Sequence, residues 1–388
     1  MGLADDIADE IGDDTPDYIP RTEFDGTAGY IQTGPQTDGF DPTDIDGILA
    51  LFGYDPEKVG IVGPAKISKW QQRARIRGTG VYETTWLTAY KFTLVAKGFS
   101  IDLPALYNEV RKTKVRPLKR NDGASTAVIV WADVQTGKVD HLGGLTELME
   151  RLESKRAAVK EWLRRQRFDR IVIADAGDII EGFSNFPAQH RTNCLSLMDQ
   201  VDVAATELWK TIKLCAAFAP VDVLSIPSNH CAWRREGKNA GRPTDDWGLH
   251  INKRLESLNT EVGLPVSFHR ADEWQETLQF EVRDGVRLGL VHGHQVNNPD
   301  QIKAWWAKMG HAGVLSCDVL VSGHFHFASL RPSGRDPITG RARWHIQAPT
   351  LDNGSAWVRN KMGEDGDPAL AVFQINDDGF DVASFALL

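Results

Sequence analysis

The stretch that most constrains this chain is Ile171-Val-Ile-Ala-Asp-Ala-Gly-Asp-Ile-Ile-Glu-Gly182. It begins as a short apolar run of the buried-strand kind and breaks at Gly177-Asp178. A carboxylate there stands beyond the C-terminal end of a strand, where open α/β sheets bind ligands. One Asp at a strand end is commonly structural. It gains meaning only if other polar groups converge on it.

The surrounding pattern is α/β. Ala127–Ala132, Ile171–Ala174 and Val221–Ile226 read as buried strands. Leu145–Phe168 and Leu195–Phe218 read as long helices, and Leu249–Leu258 and Ile302–Met309 as shorter ones. Leu278–Val282 and Arg287–Val291 flank Arg283-Asp-Gly-Val, a hairpin signal. Val319–Ser322, Arg343–Gln347 and Leu370–Ile375 read as further strands. Early crossover helices followed by later strands predict two packed mixed β-sheets flanked by helices.

Five polar clusters follow strands. They are Asp133-Val-Gln135, Asp178-Ile-Ile-Glu181, Ser228-Asn229-His230, His292-Gly-His294 and His324-Phe-His326. Carboxylate, imidazole and amide oxygen all suit a divalent first-row metal. Alternation along an extended segment would turn Asp133 with Gln135, and His324 with His326, toward one site. Any one cluster could be a satisfied polar pair or a turn. Five of the eleven histidines fall in three of them, which argues for convergence.

In set and order these clusters resemble the calcineurin-like metallophosphoesterase superfamily, over roughly residues 125–385. The forms Asp-x-Gln-x-Gly-Lys (Asp133 to Lys138) and Gly-Asp-x-x-Glu-Gly look like a branch often met in bacteriophage genomes. The resemblance implies a four-layer αββα sandwich with two divalent ions across the strand ends. Asp178 would bridge them. Asp133, Gln135 and His326 would complete one ion, and Asn229, His292 and His324 the other. His230 would protonate the leaving alkoxide. Glu181 would support the site from behind the ligands, and so would His294, with His292 favoured over it as ligand. Two ions about 3.5–4 Å apart would activate water and clamp phosphate oxygens.

Two departures from the family pattern stand out. Gln135 occupies a position usually held by His, and an amide oxygen is the weaker, harder donor. That side should bind its ion less tightly and favour Mn²⁺, with Zn²⁺, Fe²⁺ and Mg²⁺ as alternatives. Cys231 follows His230 where an acidic residue is common, and its thiol cannot hold the imidazole as a carboxylate would.

The substrate is read from softer signals. Arg234, Arg235 and Lys238 follow His230 closely and can contact phosphate, with Asp245 and Asp246 as candidate partners for such cations. The helix at 145–168 carries Lys155, Arg156, Lys160, Arg164, Arg165 and Arg167 on its polar face, and His190 and Arg191 are weaker candidates. The net charge is −9, but residues 1–46 hold thirteen acids and one Arg, leaving a mildly basic remainder. The acidic total therefore does not exclude a nucleic-acid partner. These signals favour a DNA exonuclease similar to the family's DNA-repair nucleases. A phosphatase or phosphodiesterase for phosphoproteins or small nucleotides is the alternative enzyme. A non-catalytic module with a degenerate site is the alternative outside enzymes.

Domain organisation is read as an acidic, disordered tail at 1–40, a small α+β module at 41–110, a basic linker at 111–124 and the catalytic domain at 125–388. In the module, Lys66, Lys69, Arg73, Arg75, Trp70, Trp86 and Tyr90 mix cations with aromatics. That mixture suits either a nucleic-acid surface or an ordinary wet sheet face. No apolar run reaches the roughly 18 residues of a membrane span. No export signal is evident, and four scattered cysteines suit a reducing cytoplasm.

Overall fold

The structure, a computed structural model, describes residues 20–24, 28–36, 40–56, 58–75, 82–96, 125–183, 189, 192–235, 237–363 and 366–388. The linker at 111–124, residues 1–19, His190 and Arg191 lie outside them. The chain divides into two compact units, residues 1–100 and 101–388.

Among the described residues, the first unit is a sheet of order β1-β2-β4-β3 with one helix. Its strands are β1 (Arg21–Phe24), β2 (Ala28–Gln32), β3 (Val59–Arg75) and β4 (Tyr82–Ala96), and its helix is α1 (Ile45–Leu51). Asp44 caps α1 by accepting from Gly47 N at 3.0 Å. Ile31, Ile48, Leu49, Val59, Phe92 and Leu94 form the core.

The module thus begins before residue 41, inside the stretch expected to be a tail. β1 is mostly exposed, and among the described residues β2 gives the core a single fully buried side chain, Ile31. Antiparallel pairing of β2 with β4 supplies what composition does not reveal. Of the mixed cation-aromatic face, Tyr90 turns inward and stacks on Phe40 and Phe92. Trp86 stays half exposed under Lys69, whose Nζ lies 5.2 Å from the ring centroid.

The second unit is a mixed α/β assembly of two packed sheets flanked by helices. The first sheet, of order β10-β7-β6-β5-β16-β17, uses β5 (Thr126–Trp131), β6 (Arg170–Asp175), β7 (Val221–Ser225), β10 (Val266–Arg270), β16 (Ala371–Asn376) and β17 (Gly379–Leu387). The second sheet, of order β11-β12-β13-β15-β14, uses β11 (Thr277–Arg283), β12 (Val286–Val291), β13 (Val319–Ser322), β14 (Ser329–Arg335) and β15 (Ala342–Gln347). A ribbon of β8 (Arg234–Arg235) and β9 (Lys238–Asn239) stands apart.

Period-2 alternation sorts the core side chains between two layers. On β5, Ala127, Ile129 and Trp131 face the helices, while Val128 and Val130 face the other sheet. On β6, Ile171 and Ile173 divide from Val172 and Ala174 in the same way. Strands covered on both faces therefore read as unbroken apolar runs. Helices α2 (Leu145–Arg164), α3 (Leu197–Ala216) and α4 (Trp247–Val262) cover the first sheet. Helix α5 (Ile302–His311) covers the second through Ile302 and Trp306. A short α6 (Ala356–Met362) follows β15. Each fully buried Leu or Ile contributes about 1.5–3 kcal/mol relative to exposure.

The polar face of α2 is less open than expected. Arg156 is buried and ion-paired with Glu207 of α3, with Glu153 Oε2 2.5 Å away. Arg164 pairs with Glu161 at 2.6 Å. Among the described residues no helix is long and apolar enough to cross a membrane.

Candidate metal centre

Strands β5, β6 and β7 run parallel, as do β12, β13 and β15 in the second sheet. Their C-terminal ends carry the polar clusters. Asp133 follows β5, Asp178 follows β6, and Asn229 and His230 follow β7. His292 follows β12, and His324 and His326 follow β13. The fold thus brings the clusters to one end of the two sheets.

The local geometry differs from simple strand alternation. Among the described residues, the non-glycine positions with positive φ are Asp133, Gln135, Asp178, His324 and His326, at 49°, 44°, 52°, 74° and 64°. Each is a candidate ligand. Left-handed backbone costs an L-residue about 1–2 kcal/mol, least for Asp, Asn and His. Backbone hydrogen bonds hold this conformation. Asp133 N donates to Gly177 O at 3.0 Å, and Gln135 N to Asp178 O at 2.8 Å. The pairs 133/135 and 324/326 face the site because both members sit in the same turn conformation, not because the segments are extended.

Asp178, His292 and His324 bring their ligand atoms within 4.8 Å of one another. Asp178 Oδ2 and His292 Nε2 are 3.0 Å apart. Both atoms are buried with each other as polar neighbour, and Asn229 Oδ1 is buried with no hydrogen-bond partner among the described residues. Buried polar atoms without partners are expensive. A divalent cation satisfies a carboxylate oxygen, an imidazole nitrogen and an amide oxygen together. His292 Nδ1 lies 2.8 Å from Ala176 O, which fixes the ring and leaves Nε2 for a ligand role. This donor set fits a divalent ion.

Charge follows from burial and neighbours. Burial works against charging His292, but Asp178 beside it raises its pKa to about 9. Burial, then the neighbouring His292, holds His324 well below the ordinary range. Burial likewise lowers His326 to about 4. Neutral imidazole is the metal-binding form.

The other side of the site is arranged differently. Both Asp133 oxygens accept from His324 N, at 3.2 and 2.9 Å. Burial raises the Asp133 carboxyl to about 7. Gln135 Oε1 accepts from Lys138 Nζ at 2.6 Å, and Gln135 Nε2 lies 3.3 Å from His326 Nε2. Lys138 is itself buried and donates to Asp352 Oδ2 at 2.5 Å. Burial works against its charge, but Asp352 and then Glu181 raise its pKa.

Asp352 and the charge of Lys138 escaped the sequence reading. Asp352 stands after β15, in a loop pinned by Thr350 Oγ1 donating to Asp133 O at 2.9 Å. The signal that found the other clusters, polar residues just after an apolar strand, also marks Thr350–Asn353. Asp246 and Asp175 were missed as supports. Asp246 accepts from Ser228 N at 2.9 Å and Leu249 N at 3.0 Å, capping α4. Ser228 Oγ in turn accepts from Asp178 N at 2.9 Å. Asp246 is therefore not a partner for the loop cations, because the backbone takes both of its oxygens. Asp175 Oδ2 accepts from Ser225 Oγ and Asn252 Nδ2, each at 2.9 Å.

His230 faces the same centre. Its backbone N donates to Asp178 Oδ1 at 2.8 Å, and its Nε2 is 4.0 Å from Asp178 Oδ2. Its Nδ1 lies 3.1 Å from Glu181 Oε2 and 2.9 Å from Glu181 O. Burial opposes charging, but Asp178 and then Glu181 raise its pKa to about 9. Glu181 thus provides the carboxylate support that the buried Cys231 cannot. His294 turns toward Glu276, Nε2 to Oε2 3.6 Å, and burial lowers it to about 4.

The loop after His230 divides its cations. Arg234 is half-buried, donating through Nε to Asn229 O at 3.1 Å and through Nη1 to Gly237 O at 3.0 Å. Arg235 and Lys238 are exposed, and so is Trp233. Arg242 pairs with Glu273 and stacks on Trp274, 4.9 Å from the centroid.

No protein-family model and no curated protein matches the chain. Several solved structures do. A solution structure of a Thermotoga maritima protein shares 13% identity, covers 68% of this chain and 98% of that one, and gives a TM-score of 0.25. A crystal structure of a metallophosphoesterase from Sphaerobacter thermophilus shares 13% identity, covers 68% and 88%, and gives 0.29. The structure of PhoD shares 8% identity, covers 92% and 83%, and gives 0.32.

Proposed function

We propose that this chain is a metal-dependent phosphoester hydrolase of the metallophosphoesterase kind, acting on nucleic-acid phosphodiesters. One observation carries the reaction class. Asp178, His292 and His324 bring their ligand atoms within 4.8 Å of one another, Asn229 Oδ1 is buried without a hydrogen-bond partner among the described residues, and His230 Nε2 lies 4.0 Å from Asp178 Oδ2. When bound, a divalent ion supplies Lewis acidity toward phosphoryl oxygens and lowers the pKa of water toward neutrality.

The chain's own residues do the rest. Asp178, Asn229, His292 and His324 hold the ion. His230, kept protonated by Asp178 and Glu181, gives its proton to the departing alkoxide. Glu181 holds the ring through Nδ1 and leaves Nε2 facing the centre. Arg234, close enough for Asp178 to act on its charge, binds the phosphate.

The nucleic-acid reading is supported by exposed Arg235, Lys238 and Trp233 next to that machinery. Cations track a backbone and an aromatic face stacks on a base. An exonuclease acting on DNA is the specific form of this reading. Mn²⁺ suits its mixed oxygen and imidazole donors.

The test is a substrate panel with Mn²⁺ comprising single- and double-stranded DNA, RNA, cyclic nucleotides and a phosphopeptide. DNA turnover that Asp178→Asn abolishes is the expected result. Turnover confined to the phosphopeptide or cyclic nucleotides would remove the nucleic-acid reading and leave the class. No turnover on any substrate by metal-loaded protein would remove the class.

A further inference from the structure

We propose that the Lys138 ammonium takes the place of a second divalent ion, so that the chain holds a single metal ion, at Asp178, Asn229, His292 and His324. The proposal rests on the hydrolase reading of this site and states which positive charges the site uses.

The two halves of the site differ in how their oxygen donors are engaged. On one half, Asp178 Oδ2 and His292 Nε2 face each other at 3.0 Å, and Asn229 Oδ1 is buried without a hydrogen-bond partner among the described residues. On the other half, Gln135 and Asp133 are engaged within the protein, while His326 Nδ1 is buried without a hydrogen-bond partner among the described residues. Gln135 Oε1 accepts from Lys138 Nζ at 2.6 Å. Gln135 Nε2 lies 3.3 Å from His326 Nε2, the ring atom nearest Asp133. Both oxygens of Asp133 accept from His324 N.

The orientation of the Gln135 amide decides the matter, and the hydrogen-bond network fixes it. An amide has one acceptor end and one donor end, whereas an ammonium only donates. Turning the amide over to offer its oxygen to an ion would set its NH₂ against the Lys138 NH₃⁺. The oxygen is therefore committed to Lys138. The NH₂ faces the imidazole nitrogen that the ion would otherwise claim. A His at position 135 would put a ring nitrogen in place of this amide.

Lys138 is built in rather than draped over the site. Its side chain is 9% exposed and that of Asp352 is fully buried, with 2.5 Å between Nζ and Oδ2. Asp352 Oδ2 is also 3.4 Å from His326 Nδ1. An ion sharing Gln135 Oε1 with this ammonium would stand no more than about 4–5 Å from it, given a metal–oxygen bond of roughly 2.1 Å. Two cations that close in a dry pocket repel strongly.

The experiment is metal counting. The full chain is loaded with excess Mn²⁺, desalted, and measured by mass spectrometry of the metal and by electron paramagnetic resonance. One Mn²⁺ per chain with an uncoupled six-line spectrum is expected. Lys138→Met combined with Gln135→His should take up a second ion and show an exchange-coupled spectrum. Two ions in the unaltered chain would overturn the proposal. A second ion absent from the folded double variant would also overturn it. The count on the unaltered chain decides the question even if the variant does not fold. Absence of any bound ion would instead overturn the hydrolase reading on which the proposal rests.

Discussion

Glu181 Oε2 lies 3.1 Å from His230 Nδ1, and the Glu181 carbonyl oxygen is 2.9 Å from the same nitrogen. A carboxylate three residues beyond Asp178 therefore fixes both the orientation and the charge of the imidazole that faces it. In a hydrolase this makes His230 the proton donor, and the pairing gives the first prediction.

With its pKa raised to about 9, His230 is protonated through neutral pH and loses its proton as pH rises past that value. Activity that needs the acid form should hold to about pH 8 and fall above 9. Glu181→Gln removes one raising charge, so the falling limb should move to lower pH. His230→Ala should lower kcat by about 10²–10⁴ with metal content unchanged. A pH–rate profile of the three proteins checks this, and an unmoved limb in Glu181→Gln would count against the pairing.

Gly177 should not tolerate a side chain. Its φ is +96°, and a Cβ would stand 2.5 Å from Ser228 Cβ and 2.9 Å from His292 Nδ1. Gly177→Ala adds backbone strain to that overlap, for a loss of about 2–4 kcal/mol in urea unfolding. Displacement of His292 should also weaken metal uptake. Unfolding and uptake both at the original values would contradict the geometry.

Arg156→Ala removes the cation from a buried pair with Glu207. Glu207 keeps Lys210 at 2.8 Å, but that lysine is partly exposed. Leaving a buried carboxylate with one wet partner should cost about 2–4 kcal/mol, near the lower end of what breaking a buried pair costs. DNA binding should change little, because this Arg faces the interior. A large loss of affinity without a loss of stability would reverse that assignment.

Burial raises the Asp246 carboxyl to about 7. The ordinary Asp value is about 3.9, so the folded state favours the protonated form. The contribution of Asp246 to stability is thus complete below about pH 4 and declines as pH rises through 7. The stability of the metal-free chain minus that of Asp246→Asn should fall across that window. Thermal melts at pH 4, 5, 6, 7 and 8 measure the difference, and a flat difference would rule out the raised value.

Replacing Arg235 and Lys238 with Gln should weaken DNA binding and flatten its salt dependence. Each lost phosphate contact reduces the slope of log K against log salt by about 0.7–0.9. Fluorescence anisotropy over a salt series reads this directly. An unchanged slope would place the DNA path elsewhere on the surface.

Much of the fold was legible because it is written locally. Unbroken apolar runs marked β5, β6 and β7, and a 3.6-residue period marked α2 and α3. The Asp-Gly turn marked the β11–β12 hairpin. β10, β14 and the β1–β2 pair were harder. The side chains of β10 and β14 are mostly half-exposed and those of β1 exposed, so pairing with neighbours rather than apolar pattern makes them strands.

The sequence by itself determined which residue types stand at the strand ends, and in what order. Strand ends are local features, so Asp133, Asp178, Asn229, His230, His292, His324 and His326 could be named before any contact was known. Only the tertiary structure decided how their charges are shared. Lys138 and Asp352 lie far apart in the chain, and their pairing commits the Gln135 oxygen. Glu181 takes the supporting role that Cys231 cannot, and Arg156 turns from a surface cation into half of a buried pair. Pattern and propensity act between near neighbours. The partner of a charge is set by which distant segments the fold brings within a few ångströms.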